Sequence, residues 1–494
     1  MIDAFNSGSL CKHPSRRKFL VGSASFALLG ACGGEGPPSN SNTLPVNVPP
    51  QSSSPVPIPP PDTVLVGAFY LTSHGSNYQP AFQAAINDAA QRGKKVVLND
   101  LGPILMEMWC PVRTTPFRTR TEFMAADGVP LVVTQSMEID FAGATIDLKG
   151  PGGGDRMLGQ KTPNNTETWI GGWLYVIGHK LFDRLVIKNV TVEGHFKGDV
   201  NTNKEANLTD KGFRLQDTYV GEVILQNVEL RNFAAEIYYV GGLGPDLQII
   251  ENCHFHGSPQ CAFNPGGIGQ VIAKNLKAGR AYQAAEVIGG KGHRYIGGEF
   301  YQAGLGGNTF FGGPAPGFKS GYPYWYPFWD GNGPKPLIAF EDTIFRDCGS
   351  LRVGSWVSGK IQLIDTEFIP LHSIGHLQDI DLDISSMCDQ HGGFAAAVFD
   401  GPRDLVTQVP GTPPGTFVEP PADVRIRITC LRSNAARANG RRHAAAARFY
   451  GGLVDAQSFN LEVTGEAALA SELFGVAAIG FEMPQCKLNG FMNV

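Results

Sequence analysis

Between Val223 and Gly313 the chain repeats itself. The strings VILQNVELRNFAAEIYYVGG, QIIENCHFHGSPQCAFNPGG, QVIAKNLKAGRAYQAAEVIGG and RYIGGEFYQAGLGGNTFFGG share one layout: a short apolar strand, a polar turn, a second strand and a closing Gly-Gly. Asn227, Asn252, Asn275 and Gly298, then Asp342 and Asp365, mark the turn, and the step settles at about 23 residues, inside the solenoid range. Gly298 to Asp342 reads as two such steps, as does Gly143 to Asn189 in the similar strings FAGATIDLKG and IKNVTVEGHF.

A unit this short cannot bury its own apolar face, so units must stack, with their strands in parallel, to make a continuous core. Each coil then adds about 4.8 Å of height. The 62 glycines and 35 prolines, with few helix-period windows, fit a parallel β-helix better than a leucine-rich or helical solenoid. Asn189, Asn227, Asn252 and Asn275 read as a ladder of amides at a turn, because Asn tolerates the left-handed conformation and bonds local backbone.

A chain of 494 residues would ordinarily suggest three domains, but in a stack each coil contacts only its neighbours, so one long domain is expected over 63–400. After Met387 the pattern weakens. Residues 401–494 are read as terminal coils or a small β cap. A balance of 40 basic to 45 acidic residues gives no reason to invoke nucleic acid.

Residues 1–32 end in Ser15-Arg16-Arg17-Lys18-Phe19-Leu20, an apolar run to Leu29, and Leu29-Gly30-Ala31-Cys32. This resembles a twin-arginine export signal fused to a lipoprotein box. The apolar run is too short to span a bilayer. The resemblance implies export by the twin-arginine route, lipidation at Cys32, and a lipoprotein facing the periplasm or cell surface. Residues 33–62, rich in Pro, Ser and Asn, read as an extended tether.

From Val64 the string GAFYLTSHGSNYQPAFQAAINDAAQRGKKVVLND sets Phe82, Ile86, Ala89 and Ala90 on one helix face before the strand Val96-Val97-Leu98. It resembles the opening segment of the pectate-lyase-like (pectin lyase fold) superfamily. That resemblance implies an all-β, right-handed parallel β-helix with an N-terminal capping helix, and a polysaccharide as partner, on a monomer or homotrimer. The superfamily holds lyases, hydrolases, epimerases and binding proteins, so it specifies fold better than reaction.

The segment Asn252 to Phe263 resembles that of polygalacturonases, in which two catalytic aspartates directly precede a Cys. Cys261 matches the Cys, but Pro259 and Gln260 stand where the acids would be, and Phe233–Ile237 and Gln283–Glu286 replace the neighbouring motifs. That mechanism is therefore not expected.

Aligned coils instead set Glu236, Gln260, Gln283 and Glu286 in or near one strand column, with Asn264 beside them. Lys274, Lys277, Arg280, Lys291, His293 and Arg294 make the neighbourhood basic although the chain is acidic. A basic groove would attract a polyanion and could neutralise a uronate carboxylate, easing removal of the adjacent proton. Glu236, Glu286, His293 and Arg294 are the expected catalytic groups. Gln260, Asn264, Lys277, Arg280 and Gln283 are expected to bind substrate. Six aromatics crowd Tyr322 to Trp329, and there Tyr324, Trp325 and Trp329 offer flat faces to sugar rings. The loop carrying Arg113, Arg118 and Arg120 near Trp109 and Phe117 is a second place for an acidic glycan.

Cys253 and Cys261 could bracket one turn as a disulfide, since an exported body permits it. No CxxC or His/Cys spacing argues for zinc, and no cofactor is expected, Ca2+ remaining compatible without a motif. The leading expectation is a lyase that cleaves an acidic polysaccharide by β-elimination. A glycoside hydrolase with paired carboxylates, which must stand about 5 to 9.5 Å apart, and a non-catalytic glycan-binding or adhesive β-helix are the alternatives.

Overall fold

The computed structural model describes residues 61–112, 128–156, 172–177, 182–202, 209–216, 218–242, 244–266, 269–288, 291–303, 309–312, 337–354, 356–370, 378–391, 393–399, 422–450, 459–474, 486–487 and 491–493. The export signal with Cys32, nearly all of the tether, the Arg113 to Arg120 loop and the aromatic cluster with Tyr324, Trp325 and Trp329 lie outside the described residues.

Hydrogen bonding meets the demand that the repeat makes. Strands pair in parallel with the strand one coil before and one coil after, building a 26-stranded sheet and a second, 3-stranded one. Three strips of pairing recur. The first face joins Pro245–Glu251, Gln270–Lys274, His293–Ile296 and the start of Ile338–Arg346. The second runs through Glu229, His254, Lys277, Glu299 and Ile344, one per coil. The third runs through Phe213, Tyr238, Phe263 and Ala285. Long strands such as His254–Pro265 start on the second face and end on the third, so the sheet turns corners and closes around one core.

Alternation along each strand decides what enters that core. Phe213, Tyr238 and Phe263 point inward, and their rings stack at 5.1 and 5.3 Å. Offset ring pairs at such spacings add about 0.5–1.5 kcal/mol beyond area burial. The Tyr238 hydroxyl is not left unpaired inside: it donates to Gln248 Oε1 at 2.8 Å, and Gln248 in turn donates to the Gly266 carbonyl at 3.1 Å.

The corner between the first and second faces carries the expected ladder. Asn189, Asn227, Asn252 and Asn275 all have left-handed backbone, with φ of 58, 54, 52 and 51°. Each side-chain amide donates to the residue one coil earlier: Asn189 to Asp140 at 3.0 Å, Asn227 to Asn189 at 3.0 Å, Asn252 to Asn227 at 3.4 Å and Asn275 to Asn252 at 3.1 Å. Gly298, Asp342 and Asp365 continue the left-handed corner.

Two steps of the repeat need correcting. The strand Met137–Lys149 pairs directly with Phe182–Glu193, and Glu299–Ala303 directly with the second half of Ile338–Arg346. The long intervals are therefore single coils carrying excursions, not two coils each. An excursion costs little once its ends are held, because closure entropy grows slowly with loop length.

At the start of the stack the helix Gln79–Arg92 has Pro80 in its first turn and ends at Gly93 with φ 64°. It buries Ala81, Phe82, Ala85, Ile86 and Ala89, and Phe82 stacks on Phe141 at 5.1 Å. At the other end Gln378–Cys388, Ala422–Arg432 and Phe459–Ala467 go on pairing in parallel.

The expected disulfide is absent. Cys253 and Cys261 are separate buried thiols; Cys253 donates to the Glu251 and Leu225 carbonyls and Cys261 to the Phe263 carbonyl. Spacing alone missed that the chain turns a corner at Gly257 between them, so the two residues serve different faces.

Candidate functional site

On the third face, the residue after each core residue Leu174, Phe213, Tyr238 and Phe263 points away from the core. Register places Tyr175 beside Arg214, Arg214 beside Tyr239 and Tyr239 beside Asn264, one per coil. Asn264 donates to Glu286 Oε2 at 3.4 Å, extending the column by one more coil. Outward positions of a coil normally meet water, yet Tyr175, Arg214 and Tyr239 are only 1, 2 and 3 % exposed. A buried polar column needs partners for every group. The Arg214 guanidinium stacks 4.3 Å from the centre of the Tyr175 ring and donates to Gln216 at 3.3 Å.

Lys211 enters this column from the loop just before Phe213–Gln216. Its ammonium pairs with Glu236 and lies 3.9 Å from the centre of the Tyr239 ring. What fixes Lys211 is largely backbone. The preceding Asp210 is fully buried against Arg156 and accepts from the Ala234 amide at 2.7 Å. The Lys211 carbonyl accepts from Trp173 N at 3.1 Å, and a Cβ at Gly172 would sit 1.7 Å from that carbonyl oxygen. Gly172 thus permits a close approach that no other residue would.

Burial moves two of these groups toward each other in proton affinity. It raises the Glu286 carboxyl from its ordinary 4.5 to about 7, helped by the nearby charge of Glu236 and opposed by Lys211. It lowers the Lys211 ammonium from its ordinary range, with Glu236 opposing. A carboxyl pushed up and a lysine pushed down on one face is the pattern of a site tuned for proton transfer near neutrality. Burial also drives the neighbouring Cys261 thiol well above its usual range, which leaves it unreactive as a nucleophile. Beside it, Gln260 Oε1 is buried with no hydrogen-bond partner among the described residues, and such an orphan acceptor calls for an explanation.

The structure therefore brings Glu236, Gln260, Asn264, Gln283 and Glu286 to the third face, Gln283 lying in register with Cys261. It disperses the basic residues. His293 is 2 % exposed on the first face, beside core residues in register and bonded to Tyr295 Oη at 3.3 Å. Arg294, next to it, faces out and pairs with Glu341 at 2.6 Å. Lys277 stands on the second face in register with His254. Arg280 occupies a left-handed corner, φ 43°, and reaches over Gly257 to Asn232. Sequence reasoning missed Lys211, Arg214, Tyr175 and Tyr239.

No protein-family model matches this chain, and no curated protein matches it. Solved structures do resemble it. The A-module of the Azotobacter vinelandii mannuronan C-5 epimerase AlgE6 superposes with TM-score 0.53 at 12 % identity, over 87 % of this chain and 98 % of that one. The A-module of AlgE4 from the same organism gives 0.45 at 12 %, over 86 % and 100 %. A tailspike protein of E. coli bacteriophage HK620 gives 0.33 at 10 %, over 83 % and 78 %. At these identities the first likeness speaks for a shared fold alone.

Proposed function

We propose that this protein is a polysaccharide lyase that cleaves a uronate-containing chain by β-elimination at the third face of a right-handed parallel β-helix. One observation carries the reading: Lys211 and Glu286, with proton affinities displaced in opposite directions, share one polar column with the buried Arg214 and Tyr239 and the half-buried Asn264. The likeness in fold to a mannuronan C-5 epimerase module agrees with a uronate as substrate, because epimerisation at C5 and elimination across C4–C5 begin with loss of the same proton.

In this reading Arg214 and Asn264 hold the uronate carboxylate and draw charge from the neighbouring carbon. Lys211, as the amine, takes the C5 proton. The C5–H electron pair becomes the C4–C5 double bond, the C4–O bond breaks, and Glu286 in its protonated form gives its proton to the departing oxygen. Tyr239 keeps the Lys211 amine over the sugar, and Gly241 leaves room for the tyrosine, since a Cβ there would lie 2.6 Å from its hydroxyl. We also read residues 1–62 as export signal, lipid-bearing Cys32 and tether, so that the coil works outside the cytoplasm on a membrane anchor. Cys32→Ser should then release the protein from membranes.

The test is a panel of anionic and neutral polysaccharides. Ultraviolet absorbance from an unsaturated uronate, lost in Lys211→Met, supports the lyase. New reducing ends without that absorbance would instead make Glu236 and Glu286 a hydrolase pair. Solvent deuterium entering C5 without chain cleavage would make the protein an epimerase.

A further inference from the structure

The second face carries a different constellation, which the proposed reaction leaves unused. Glu229 stands in register with His254, and Arg231 with His256, on adjacent coils. Strand alternation turns Glu229, His254 and His256 to the outside, where all three are half-buried. Their side-chain ligand atoms lie within 4.8 Å of one another, and among the described residues they form the one group of this kind. His256 Nε2 is 3.0 Å and His254 Nδ1 4.0 Å from the same oxygen, Glu229 Oε1. Ligand atoms around a tetrahedral zinc are spaced by about 3.3 Å, given bonds of about 2.0–2.1 Å, so the two distances bracket the spacing a metal needs.

A second feature is independent of that trio. His254 uses its other ring nitrogen, Nε2, to meet Tyr301 Oη at 2.7 Å. Tyr301 belongs to a coil two further along, and the coil between has Gly279 in register with both His256 and Tyr301. A Cβ at Gly279 would lie 2.7 Å from the Tyr301 ring and 2.0 Å from its carbonyl oxygen. The missing side chain lets the tyrosine lie across the gap. Metal-binding histidines almost always engage their second nitrogen this way, which fixes the tautomer and the ring plane. The imidazoles of His254 and His256 are also stacked, 4.1 Å between centres. Arg231 pairs most closely with Glu193, at 2.8 Å, and also donates to the ligand atom Glu229 Oε1 at 3.3 Å, a contact that a bound ion would replace.

We propose that Glu229, His254 and His256 bind one divalent transition-metal ion, of the zinc class, with Tyr301 as the positioning residue for His254. Two imidazoles and one carboxylate suit zinc and its neighbours, whereas Ca2+ takes oxygen ligands. Three protein ligands leave the fourth position open for water or an anionic group.

The experiment titrates the chelator-treated full chain with Co2+ and then Zn2+, following the visible absorption of cobalt and the metal content after desalting. One ion per chain is expected, with a four-coordinate cobalt spectrum that zinc abolishes. His256→Ala and Glu229→Gln should each remove the spectrum. Tyr301→Phe should weaken affinity by about 10- to 100-fold, the usual cost of losing an outer-shell partner, while circular dichroism stays unchanged. Arg294→Ala, on another face, should bind like the parent. Failure of the parent to take up either ion, or binding that survives in His254→Ala/His256→Ala, would overturn the proposal.

Discussion

Two columns climb this molecule, each contributing one residue per coil, and they are opposites in composition. The corner ladder repeats Asn at Asn189, Asn227, Asn252 and Asn275, and beyond its first link, from Asn189 to the Asp140 carboxylate, its hydrogen bonds run from one amide to the next. The third-face column changes at every step, from Tyr175 to Arg214, Tyr239, Asn264 and Glu286, and its members are held mostly away from water. A column of identical groups satisfies itself and supplies structure. A column of unlike groups concentrates donors, acceptors and charge that the coil does not need for its own folding, which is what a site requires.

The boundary between the two roles can be broken hardest at Arg156. Its guanidinium and Asp210 form an ion pair with both side chains 0 % exposed, immediately before Lys211. Removing one partner of a buried pair strands a charge and costs about 3–5 kcal/mol. Arg156→Met should therefore lower the melting temperature strongly and reduce turnover as well, because Asp210 fixes the loop that delivers Lys211. A Met variant with unchanged melting temperature would mean that the pair is not part of the scaffold.

Glu286→Gln should act on chemistry alone. The expected loss is about 10²- to 10³-fold in turnover, the scale of a general acid or an electrostatic stabiliser. The melting temperature should not fall, since the amide keeps the shape and removes a carboxyl that burial disfavours when charged. The same displacement fixes the pH dependence. A carboxyl raised from 4.5 to about 7 stays protonated below neutrality, so the rate should fall about tenfold per unit above about pH 7, and the need for Lys211 as the free amine should make it fall toward acid pH as well. For stability the sign is the reverse of a salt-bridged carboxylate: ionising Glu286 is disfavoured in the fold, so its contribution worsens as pH rises from 4.5 to about 7 and is constant beyond. A rate independent of pH across neutrality would remove Glu286 from the acid role.

The ladder should answer the other way. Asn252→Ala replaces a residue that tolerates left-handed backbone, here φ 52°, with one that does not, and breaks two links of the stack. Left-handed backbone costs about 1–2 kcal/mol for an ordinary L-residue, so stability should fall by that much with turnover kept. Asn252→Gly should recover most of the loss, because glycine tolerates the conformation.

How much of this was legible in the sequence follows from the same contrast. Identity at a fixed period is visible in a string, so the Asn turns and the parallel stack could be read directly. The single coils behind the two long intervals could not, because an excursion of the right length imitates a missing repeat. On the third face, aligned coils found Glu236, Asn264 and Glu286. They did not find Lys211, Arg214 and Tyr175, which precede the clear repeats. A signal was present: Phe213-Arg214, Tyr238-Tyr239 and Phe263-Asn264 each set a core aromatic before an outward polar group. The basic run misled for a geometric reason. A coil of about 23 residues passes round three faces, so cations close together in the string, such as Lys277, Arg280 and Arg294, end up pointing in different directions.

Arg294 gives the smallest effect and the sharpest check of that last point. It lies on the first face, about half exposed, with its guanidinium on Glu341 at 2.6 Å and its partner equally open to solvent. Exposed pairs of this kind are worth about 0–1 kcal/mol, and salt screens them further. Arg294→Ala should leave the melting temperature within a few degrees, and neither KM nor kcat on the identified polysaccharide should move, because no group of the third-face column contacts it. Glu341→Gln should behave the same way. A tenfold or larger fall in kcat for either variant would show that substrate reaches round from the third face to the first. The contrast between a scaffold corner and a single catalytic column would then have to give way to a groove wrapping the coil.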